Sequence, residues 1–391
     1  MIDRLLSEEV QNFIKDHQFD DPFLLSLHTK KGSDFPLREA IEQIQSLQKA
    51  KNKLPSWVGE KGIIWPAPIS VEQSSSELTA RYKESQLQGQ SIVDLTGGMG
   101  VDASFFAEGF KKVSYVEPNE VLCKLASHNF KMLHKDIEVL NLTAEAFLKE
   151  NSERFDVIFI DPSRRSGQKK VFKITDSAPN LYEIVPECLR RSDQVLIKLS
   201  PLVDLSLLIR DFEPSMIWVV AVKGEVKEVL CSIDKQKRPV NIRAVDLSND
   251  MRSIDFNFEW DEEAKAVNKY SLPLQYIYEP NAVILKTGAF KLIGERFDLL
   301  KLHQHSHLYT SDKYVNDFPG KTLKILSTIN QNKKDIKRAI PNGKVNVIAR
   351  NYPLTATQIK KKFGLTDAGE QFLIGTTLQG SKKVLLLCER L

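Results

Sequence analysis

The chain has 391 residues, 42% of them hydrophobic and 27% charged, with a formal net charge of +4. This length exceeds one ordinary core and predicts two or three domains. No run of about 18 apolar residues could span a bilayer, and the N-terminus lacks the basic and apolar parts of a secretion signal, so we expect a cytoplasmic protein without membrane contact. The cysteines are far apart and favour neither a disulfide framework nor a zinc cluster. They are Cys123, Cys188, Cys231 and Cys388.

The positive charge is concentrated in the last part of the chain. Residues 321–391 hold 14 Lys and Arg against 4 Asp and Glu, a net charge of +10, whereas residues 1–320 carry −6. Such basic runs can neutralise phosphates, which predicts a nucleic-acid partner. A merely solvated helix face is the alternative. The predicted contacts are Lys333, Lys334, Lys337, Arg338, Lys360 and Lys361.

The first 85 residues are predicted to be mainly helical, because apolar residues recur there at helical spacing, as in Val10, Phe13 and Ile14. Residues 61–68 must leave the helical conformation around their prolines. A helix starting at about Glu72 is then expected to bring Tyr82 to the entrance of the first strand, where it either covers a ligand or packs in the core.

A strand over residues 91–95 runs into a glycine-rich turn that contains Gly97, Gly98 and Gly100. Glycines allow the backbone to approach a ligand closely, and the following helix presents free N–H groups. Asp94 stands at the edge of this turn. The pattern fits a nucleoside-containing cofactor, although a nicotinamide site, a flavin site or a turn without a ligand remains open at this point.

A second strand over residues 112–116 ends at Glu117, 20 residues after Gly97. A carboxylate at this position can accept hydrogen bonds from both ribose hydroxyls and disfavours a 2′-phosphate by like charge. The alternative is a glutamate that caps the helix after Pro118. Glu117 is therefore a candidate ribose ligand.

Further strands complete a doubly wound sheet. The third and fourth strands are predicted over residues 137–141 and 155–160, and the fourth leads into the motif D-P-S-R-R at residues 161–165. A loop at the carboxyl end of such a strand lies beside the ligand in an open α/β sheet, and a nicotinamide site does not explain this motif. Strands over 194–199 and 216–222 follow, and a turn at residues 223–225 predicts a reversed seventh strand over 226–233.

Three motifs resemble the successive signatures of class I methyltransferases: D-L-T-G-G-M-G-V-D at 94–102, V-E-P-N at 116–119 and D-V-I-F-I-D-P-S-R-R at 156–165. The resemblance covers about residues 60–235. Residues 72–83 and the Asp161 motif make the chain most similar to bacterial methyltransferases with a C-terminal THUMP-like domain. The implied fold is α/β, a Rossmann-like class I methyltransferase sheet with an N-terminal helical region and a small α+β C-terminal THUMP-like region.

The resemblance also implies domain boundaries. They are a helical region at 1–85, the methyltransferase domain at 86–277, a ferredoxin-like module at 278–320 and the THUMP-like domain at 321–391. The sequence pattern of the THUMP-like domain predicts the order strand, basic helix, strand, helix, strand. The predicted strands cover residues 321–326, 344–350 and 383–388. THUMP domains are associated with RNA modification, but they usually precede the catalytic domain, whereas this one follows it.

The implied cofactor is S-adenosyl-L-methionine. By resemblance, the glycine turn surrounds its methionine portion, Glu117 takes the ribose, and Asp161 with Pro162 lines the methyl-transfer pocket. Related enzymes often place an Asp at the adenine, where this chain has Thr143 followed by Ala144. The expected cofactor-binding residues are Tyr82, Asp94, Thr96, Gly97, Gly98, Gly100, Glu117, Thr143, Ala144 and Asp161.

The expected catalytic residues are Asp161, Pro162, Ser163 and Arg164. In N-methyltransferases with D-P-P-Y, the acidic side chain and the proline carbonyl hold an amino group by its hydrogens. Arg164 stands where the stacking aromatic would be, and a guanidinium can stack on a base, bind phosphate or form an internal ion pair. Arg165 is expected to contact substrate.

The motif also resembles the D-P-P-R-x-G of RNA uracil-C5 methyltransferases, which need a nucleophilic thiolate after the fifth strand. Here Leu199 occupies the thiol position, which favours a nitrogen or oxygen nucleophile. The neighbouring Lys198 is expected either to contact substrate or to be an ordinary surface lysine.

These features predict a methyltransferase that acts on an N or O atom of a nucleotide in structured RNA, tRNA or rRNA, by direct in-line transfer. Two alternatives remain: a noncatalytic RNA-binding or assembly protein that keeps the cofactor fold, and a methyltransferase for a protein or small molecule.

Alternate spacing predicts that His303, His305 and His307 share one side of a strand. Lacking nearby acidic or cysteine partners, they are not expected to bind a metal.

Overall fold

The computed structural model describes residues 2–28, 34–164, 174–236, 238–247 and 254–391, except for the side chain of Arg164. The chain forms two compact units. The first unit comprises Met1–Ile217 and Glu228–Arg238, and the second comprises Trp218–Lys227 and Pro239–Leu391. Across the described ranges, every helix is too short or too polar to span a lipid bilayer.

Among the described residues ahead of the first strand there are seven helices, which confirms the predicted helical region. They are α1 (Ile2–Leu5), α2 (Glu8–His17), α3 (Pro22–His28), α4 (Leu37–Ala50), α5 (Pro55–Gly59), α6 (Pro68–Gln73) and α7 (Glu77–Ser85). The prediction of one helix from about Glu72 is wrong. Helix α6 ends at Gln73, and α7 begins only after Ser76, whose hydroxyl accepts a hydrogen bond from the Thr79 N–H at 3.2 Å. A serine at this position satisfies an N–H that has no partner within the helix and so fixes where the helix starts.

The sheet that carries the motifs is built from alternating strands and helices. Its elements are β1 (Ser91–Asp94), α8 (Val101–Gly109), β2 (Lys112–Val116), α9 (Glu120–Met132), β3 (Glu138–Leu140), α10 (Ala144–Glu150), β4 (Phe155–Ile160), β5 (Ser163–Arg164), β6 (Ser177–Ala178), α11 (Leu181–Arg191), β7 (Ser192–Leu199), α12 (Leu205–Phe212), β8 (Met216–Val222) and β9 (Glu225–Asp234). A short 3₁₀ turn, Ile174–Asp176, precedes β6, which pairs with β5.

Seven of these strands lie in the order β3-β2-β1-β4-β7-β9-β8. Strands β3, β2, β1, β4 and β7 are parallel, whereas β9 runs antiparallel to β7 and places Val229 opposite Leu199. The predicted reversed strand is therefore confirmed. Strands β1 and β4 are central and their apolar residues are fully buried, which explains why they appear in the sequence as continuous apolar runs.

The peptide that leads into the sheet is fixed by two side-chain amides. Gln43 of α4 accepts from the Trp65 N–H at 2.8 Å and donates to the Trp65 carbonyl at 2.7 Å. Asn129 of α9 does the same for Ile64, at 2.9 and 2.8 Å. These paired bonds satisfy buried backbone groups that a non-helical segment would leave without partners.

The second unit contains a smaller mixed sheet. Its further elements are β10 (Asn241–Leu247), β11 (Ile254–Glu259), α13 (Trp260–Lys265), β12 (Tyr276–Pro280), α14 (Ala282–Thr287), α15 (Leu292–Arg296), β13 (Leu300–Lys301), β14 (Tyr309–Ser311), β15 (Gly320–Ile329), α16 (Lys333–Ala339), β16 (Asn346–Arg350), α17 (Ala356–Phe363), β17 (Gln371–Thr377) and β18 (Lys383–Arg390). Seven of these strands form the smaller sheet, in the order β13-β14-β12-β15-β18-β17-β16, whereas β10 lies beside β8 and pairs with β11.

Two sequence predictions for this unit need correction. The expected pattern of residues 321–391 omits β17, which lies between β16 and β18 in the sheet. The three histidines do not share one side of a strand, because residues 303–307 form a turn between β13 and β14. His307 stacks on Phe290 at 3.8 Å between ring centroids, so its ring serves packing.

Candidate active site

The glycine turn is held by groups from the end of β2. The Gly98 N–H donates to Glu117 Oε2 at 2.9 Å, and the Asn119 N–H donates to Glu117 Oε1, also at 2.9 Å. The Tyr115 hydroxyl donates to the Gly98 carbonyl at 2.6 Å. Helix α9 is capped by Asn119, so the alternative of Glu117 as the capping residue is wrong. Glu117 thus lies directly against the turn.

The three glycines have different reasons for lacking a side chain. A Cβ on Gly97 would lie 2.1 Å from Tyr115 Cε2, and one on Gly100 would lie 2.6 Å from Phe130 Cζ. Gly98 has φ +54°, and its Cβ would meet nothing closer than Thr96 O at 3.8 Å. Gly97 and Gly100 therefore allow tight packing, whereas Gly98 faces open space beside Glu117, which is the geometry that close approach of a ligand requires.

Thr96 links the ends of β1 and β4. Its N–H and hydroxyl donate to Asp94 Oδ1 at 2.9 and 3.3 Å, and the hydroxyl oxygen accepts from the Asp161 N–H at 2.6 Å. Burial raises the pKa of Asp94 well above its usual value, and the nearby Asp161 adds to this. The structure thus brings three predicted site residues into one hydrogen-bonded chain.

The Asp161 carboxylate is oriented by Lys198, whose Nζ binds Oδ2. The Lys198 side chain is only 13% exposed, so the alternative of an ordinary surface lysine is wrong. Burial lowers the pKa of Lys198, but the carboxylates around it, Asp161 first, raise it more, and the pKa lies above its usual value. Among the described residues, Asp161 Oδ1 has no hydrogen-bond partner. One oxygen of this carboxylate therefore remains open to a ligand.

A second, fully buried lysine was not predicted from the sequence. Lys83 of α7 donates to the two carboxylate oxygens of Glu228 at 2.9 and 3.0 Å and lies 3.2 Å from Asp102 Oδ1. The Ser75 hydroxyl donates to Asp102 Oδ2 at 2.6 Å. The sequence contains one hint of this pair, because Glu228 is a charged residue within the apolar stretch of β9. Its partner, Lys83, lies 145 residues away and could not be inferred from the sequence.

In this buried network the pKa of Glu228 is raised, whereas the pKa of Asp102 is lowered. Burial raises the pKa of Glu228, despite the attraction of Lys83. Burial acts in the same sense on Asp102, but Lys83 and then Lys198 outweigh it, so the pKa of Asp102 is lowered. The network joins α7, α8 and β9.

The remaining predicted residues of the first unit are spread more widely. Thr143 caps α10, because its hydroxyl accepts from the Ala146 N–H at 3.1 Å, and Ala144 is buried. Tyr82 is half-buried on α7. Pro162 is buried, whereas Ser163 is exposed. Arg165 and the side chain of Arg164 lie outside the described residues.

Asn141 is a residue near the site that sequence reasoning did not select. Its side-chain amide donates to the carbonyls of Glu117 and Pro118 at 2.9 and 3.0 Å. It therefore fixes the backbone that carries the Glu117 carboxylate. The only sequence signal was its position at the end of the third strand.

We expect Lys83→Met to lower the free energy of unfolding by about 3–5 kcal/mol, because it removes the ammonium that is in contact with two buried carboxylates. Denaturant unfolding measures the change. Lys124→Met is the matched control, since Lys124 forms an exposed pair with Glu120 and its loss should leave stability nearly unchanged. The double variant Lys83→Met/Glu228→Gln should recover part of the loss. Equal effects of Lys83→Met and Lys124→Met would contradict the network.

Comparison with known proteins agrees with this geometry. Residues 276–319 match a family described as a ferredoxin-like domain, and residues 320–390 match one described as THUMP domain-like. The chain is 20% identical over 298 residues to the "Uncharacterized S-adenosylmethionine-dependent methyltransferase Rv3037c" of Mycobacterium tuberculosis, which covers 76% of this chain and 80% of that protein. It also matches the crystal structure of a "putative methyltransferase from Porphyromonas gingivalis W83" with 31% identity, a TM-score of 0.88, and coverage of 98% and 97% of the two chains.

The strand order, the reversed strand and the glycine turn at the end of β1 define a class I methyltransferase fold, an enzyme class that uses S-adenosyl-L-methionine. Within that class, the chain belongs to the family of the Porphyromonas gingivalis protein, the S-adenosylmethionine-dependent methyltransferases with ferredoxin-like and THUMP-like domains. The resemblance inferred from the three sequence motifs is thereby confirmed.

Proposed function

We propose that this enzyme methylates an N or O atom of a nucleotide in structured RNA, tRNA or rRNA, by direct in-line transfer. The observation that carries the proposal is the Asp161 carboxylate, held through Oδ2 by Lys198 with Oδ1 open, at the end of β4 beside the glycine turn. A fixed hydrogen-bond acceptor at this place suits a nucleophilic nitrogen or oxygen that carries a hydrogen.

The donor set fits S-adenosyl-L-methionine. This cofactor carries a cationic sulfonium, an ammonium and a ribose diol, and three carboxyl groups stand at the ends of β1, β2 and β4: Asp94, Glu117 and Asp161. The open space at Gly98 leaves room for close backbone approach. Gly97 to Gly100 and Asp94 would hold the methionine portion, Glu117 the ribose, and Tyr82, Thr143 and Ala144 the remaining surface. When bound, the cofactor supplies an electrophilic methyl carbon.

The residues of this chain would position the acceptor atom. Asp161 Oδ1 and the Pro162 carbonyl can each accept one hydrogen of an amino group, and this orients the nitrogen lone pair. Asp161 can also receive the proton that the nitrogen loses. Lys198 remains protonated at neutral pH because its pKa is raised, so it orients Asp161 and does not act as a base. Ser163, Arg164 and Arg165 follow directly and would contact the substrate.

The cysteines favour a nitrogen or oxygen atom as the methyl acceptor over a carbon atom of a uracil ring. All four are buried, and burial raises the pKa of each thiol. A thiol of this kind is a poor source of the thiolate that activation of a uracil ring requires. Leu199 occupies the position where that nucleophile would be expected.

The second unit supports an RNA substrate. Of the six predicted phosphate contacts on α16 and α17, Arg338 and Lys360 pair with Asp335 and Asp367. The other four, Lys333, Lys334, Lys337 and Lys361, have no ion-pair partner among the residues that the structure describes. Unpaired lysines on a domain similar to THUMP domains favour contact with RNA phosphates over a neutralised surface.

Mass spectrometry of nucleosides tests the proposal directly. RNA from cells that lack the protein should lose one methylated nucleoside, and incubation of that RNA with the purified enzyme and S-adenosyl-L-methionine should restore it. Unchanged nucleosides together with retained RNA binding would favour the noncatalytic assembly protein. Methylation of a protein or small molecule, with RNA unaffected, would favour the third alternative.

We expect the triple variant Lys333→Ala/Lys334→Ala/Lys337→Ala to weaken RNA binding in low salt and to reduce the slope of log affinity against log salt by about one for each lost phosphate contact. Fluorescence anisotropy at several salt concentrations measures both. A matched control replaces three exposed lysines of the first unit, Lys61, Lys111 and Lys149. An unchanged salt slope in the first variant would refute phosphate contact by α16.

A further inference from the structure

The second unit contains a cavity of about 230 Å³ that the proposed methyl transfer does not use. Its walls include Asn268, Lys269, Lys291, Gly294, Lys301 and Tyr309. This volume is large enough for several water molecules or for a small anion with some of its hydration. We call it the Lys301 cavity.

Lys301 is buried in this cavity without a counter-ion. Its residue is 2% exposed, and among the described residues its Nζ forms no hydrogen bond or ion pair. It lies 5.7 Å from the ring centroids of both Phe290 and Tyr309. A largely buried ammonium with no ion-pair partner is poorly compensated, so a site of this kind favours an anionic ligand.

The Glu263 carboxylate, which acts electrostatically on Lys301, is held by backbone N–H groups. Glu263 accepts hydrogen bonds from the backbone N–H groups of Lys291, at 3.0 and 3.1 Å, and Leu292, at 2.9 Å. Burial lowers the pKa of Lys301 to about 8, with Lys291 adding to the shift and Glu263 opposing it. Lys301 therefore still carries its proton through most of the neutral range, although burial disfavours the charged form.

The backbone of Lys301 is held by hydrogen bonds to a neighbouring segment. Its N–H donates to the Lys269 carbonyl at 2.7 Å, and its carbonyl accepts from the Ser271 N–H at 3.2 Å. Lys269 and Lys291 also line the cavity, and the Lys291 ammonium donates to the Ala264 carbonyl at 2.9 Å. Two acids also line it, Glu295 and Asp298, and Glu295 accepts from the Val267 N–H at 3.3 Å.

We propose that the Lys301 cavity binds a phosphate-type anion whose charge pairs with the Lys301 ammonium. The anion is either a phosphate group of RNA or free phosphate, since the two share the charge and the oxygen acceptors that a lysine ammonium recognises. This inference does not depend on methyl transfer, because binding can be measured without S-adenosyl-L-methionine.

Isothermal titration calorimetry of the full chain with sodium phosphate, at pH 7 and constant ionic strength, tests the proposal. We expect saturable binding that Lys301→Met weakens by at least about tenfold, the effect of a lost charge-assisted contact. Lys313→Met is the control, because Lys313 is exposed in the same unit and lies outside the cavity walls. Absence of saturable binding to the native protein, or equal binding by Lys301→Met, would overturn the proposal.

A second measurement does not depend on the folding of a buried variant. Phosphate should move the Lys301 titration, followed by NMR of its labelled ε-carbon, upward from about 8, whereas chloride should not. Lys269→Met, at the exposed rim, should reduce this shift. An unchanged titration would refute the pairing.

RNA oligonucleotides then distinguish the source of the phosphate. Displacement of inorganic phosphate only by a 5′-phosphorylated oligonucleotide identifies a terminal phosphate, and equal displacement by the dephosphorylated form identifies the backbone. Saturable binding of phosphate with no displacement by either identifies a small free anion. Each of these three results supports the cavity as an anion site.

Discussion

Asp161→Ala is expected to lower the rate of methyl transfer by at least about 100-fold, the usual effect of losing a positioned proton acceptor. The reason is geometric: Lys198 holds one carboxylate oxygen and the other is open to the substrate. Transfer of a labelled methyl group to RNA from cells that lack the protein measures the loss. The affinity for S-adenosyl-L-methionine, measured by calorimetry, should fall by less than about tenfold, because the glycine turn and Glu117 remain.

Two further variants separate chemistry from folding. Asp193→Ala removes an exposed carboxylate that pairs with Arg154 and should leave transfer unchanged. Lys198→Met keeps the Asp161 carboxylate but removes its orientation, so its rate should lie between those of the native enzyme and Asp161→Ala. Full activity of Asp161→Ala would remove Asp161 from the mechanism.

Gly98→Val is expected to weaken S-adenosyl-L-methionine binding by at least about 100-fold, an effect of about 2.7 kcal/mol, while RNA binding is retained. The new side chain would occupy the open space beside Glu117, and the positive φ adds backbone strain. Calorimetry with the cofactor and anisotropy with RNA measure the two affinities.

A second glycine provides a control for the backbone strain that Gly98→Val introduces. Gly224 also has a positive φ, +81°, and its Cβ would meet no atom within 4 Å. Gly224→Val therefore imposes a similar backbone cost in the hairpin between β8 and β9, far along the chain from the cofactor residues. Similar loss of cofactor affinity in both variants would mean that strain, and not the cofactor site, explains the result.

Much of the first unit could be predicted from local patterns. Strands β2 and β4 lie where the apolar runs place them, and the reversed strand β9 follows the predicted turn at Lys223 and Gly224. Parallel strands buried on both faces are continuous apolar segments, and glycine punctuates the turns, so each signal is contained in a few neighbouring residues. The start of α7 was misplaced because Glu72 and Glu77 give similar helical patterns, and only the Ser76 cap distinguishes them.

The sequence by itself determined the class of enzyme, its cofactor and the motifs at the ends of β1, β2 and β4, because these are short and ordered along the chain. Only the tertiary structure decided how these motifs interact. The Asp161 carboxylate meets a lysine 37 residues away, and Lys83 meets Glu228 over 145 residues. It also showed that Lys301 is buried without a counter-ion. Burial and ion pairing depend on which distant strands become neighbours, and no local pattern of residues specifies that.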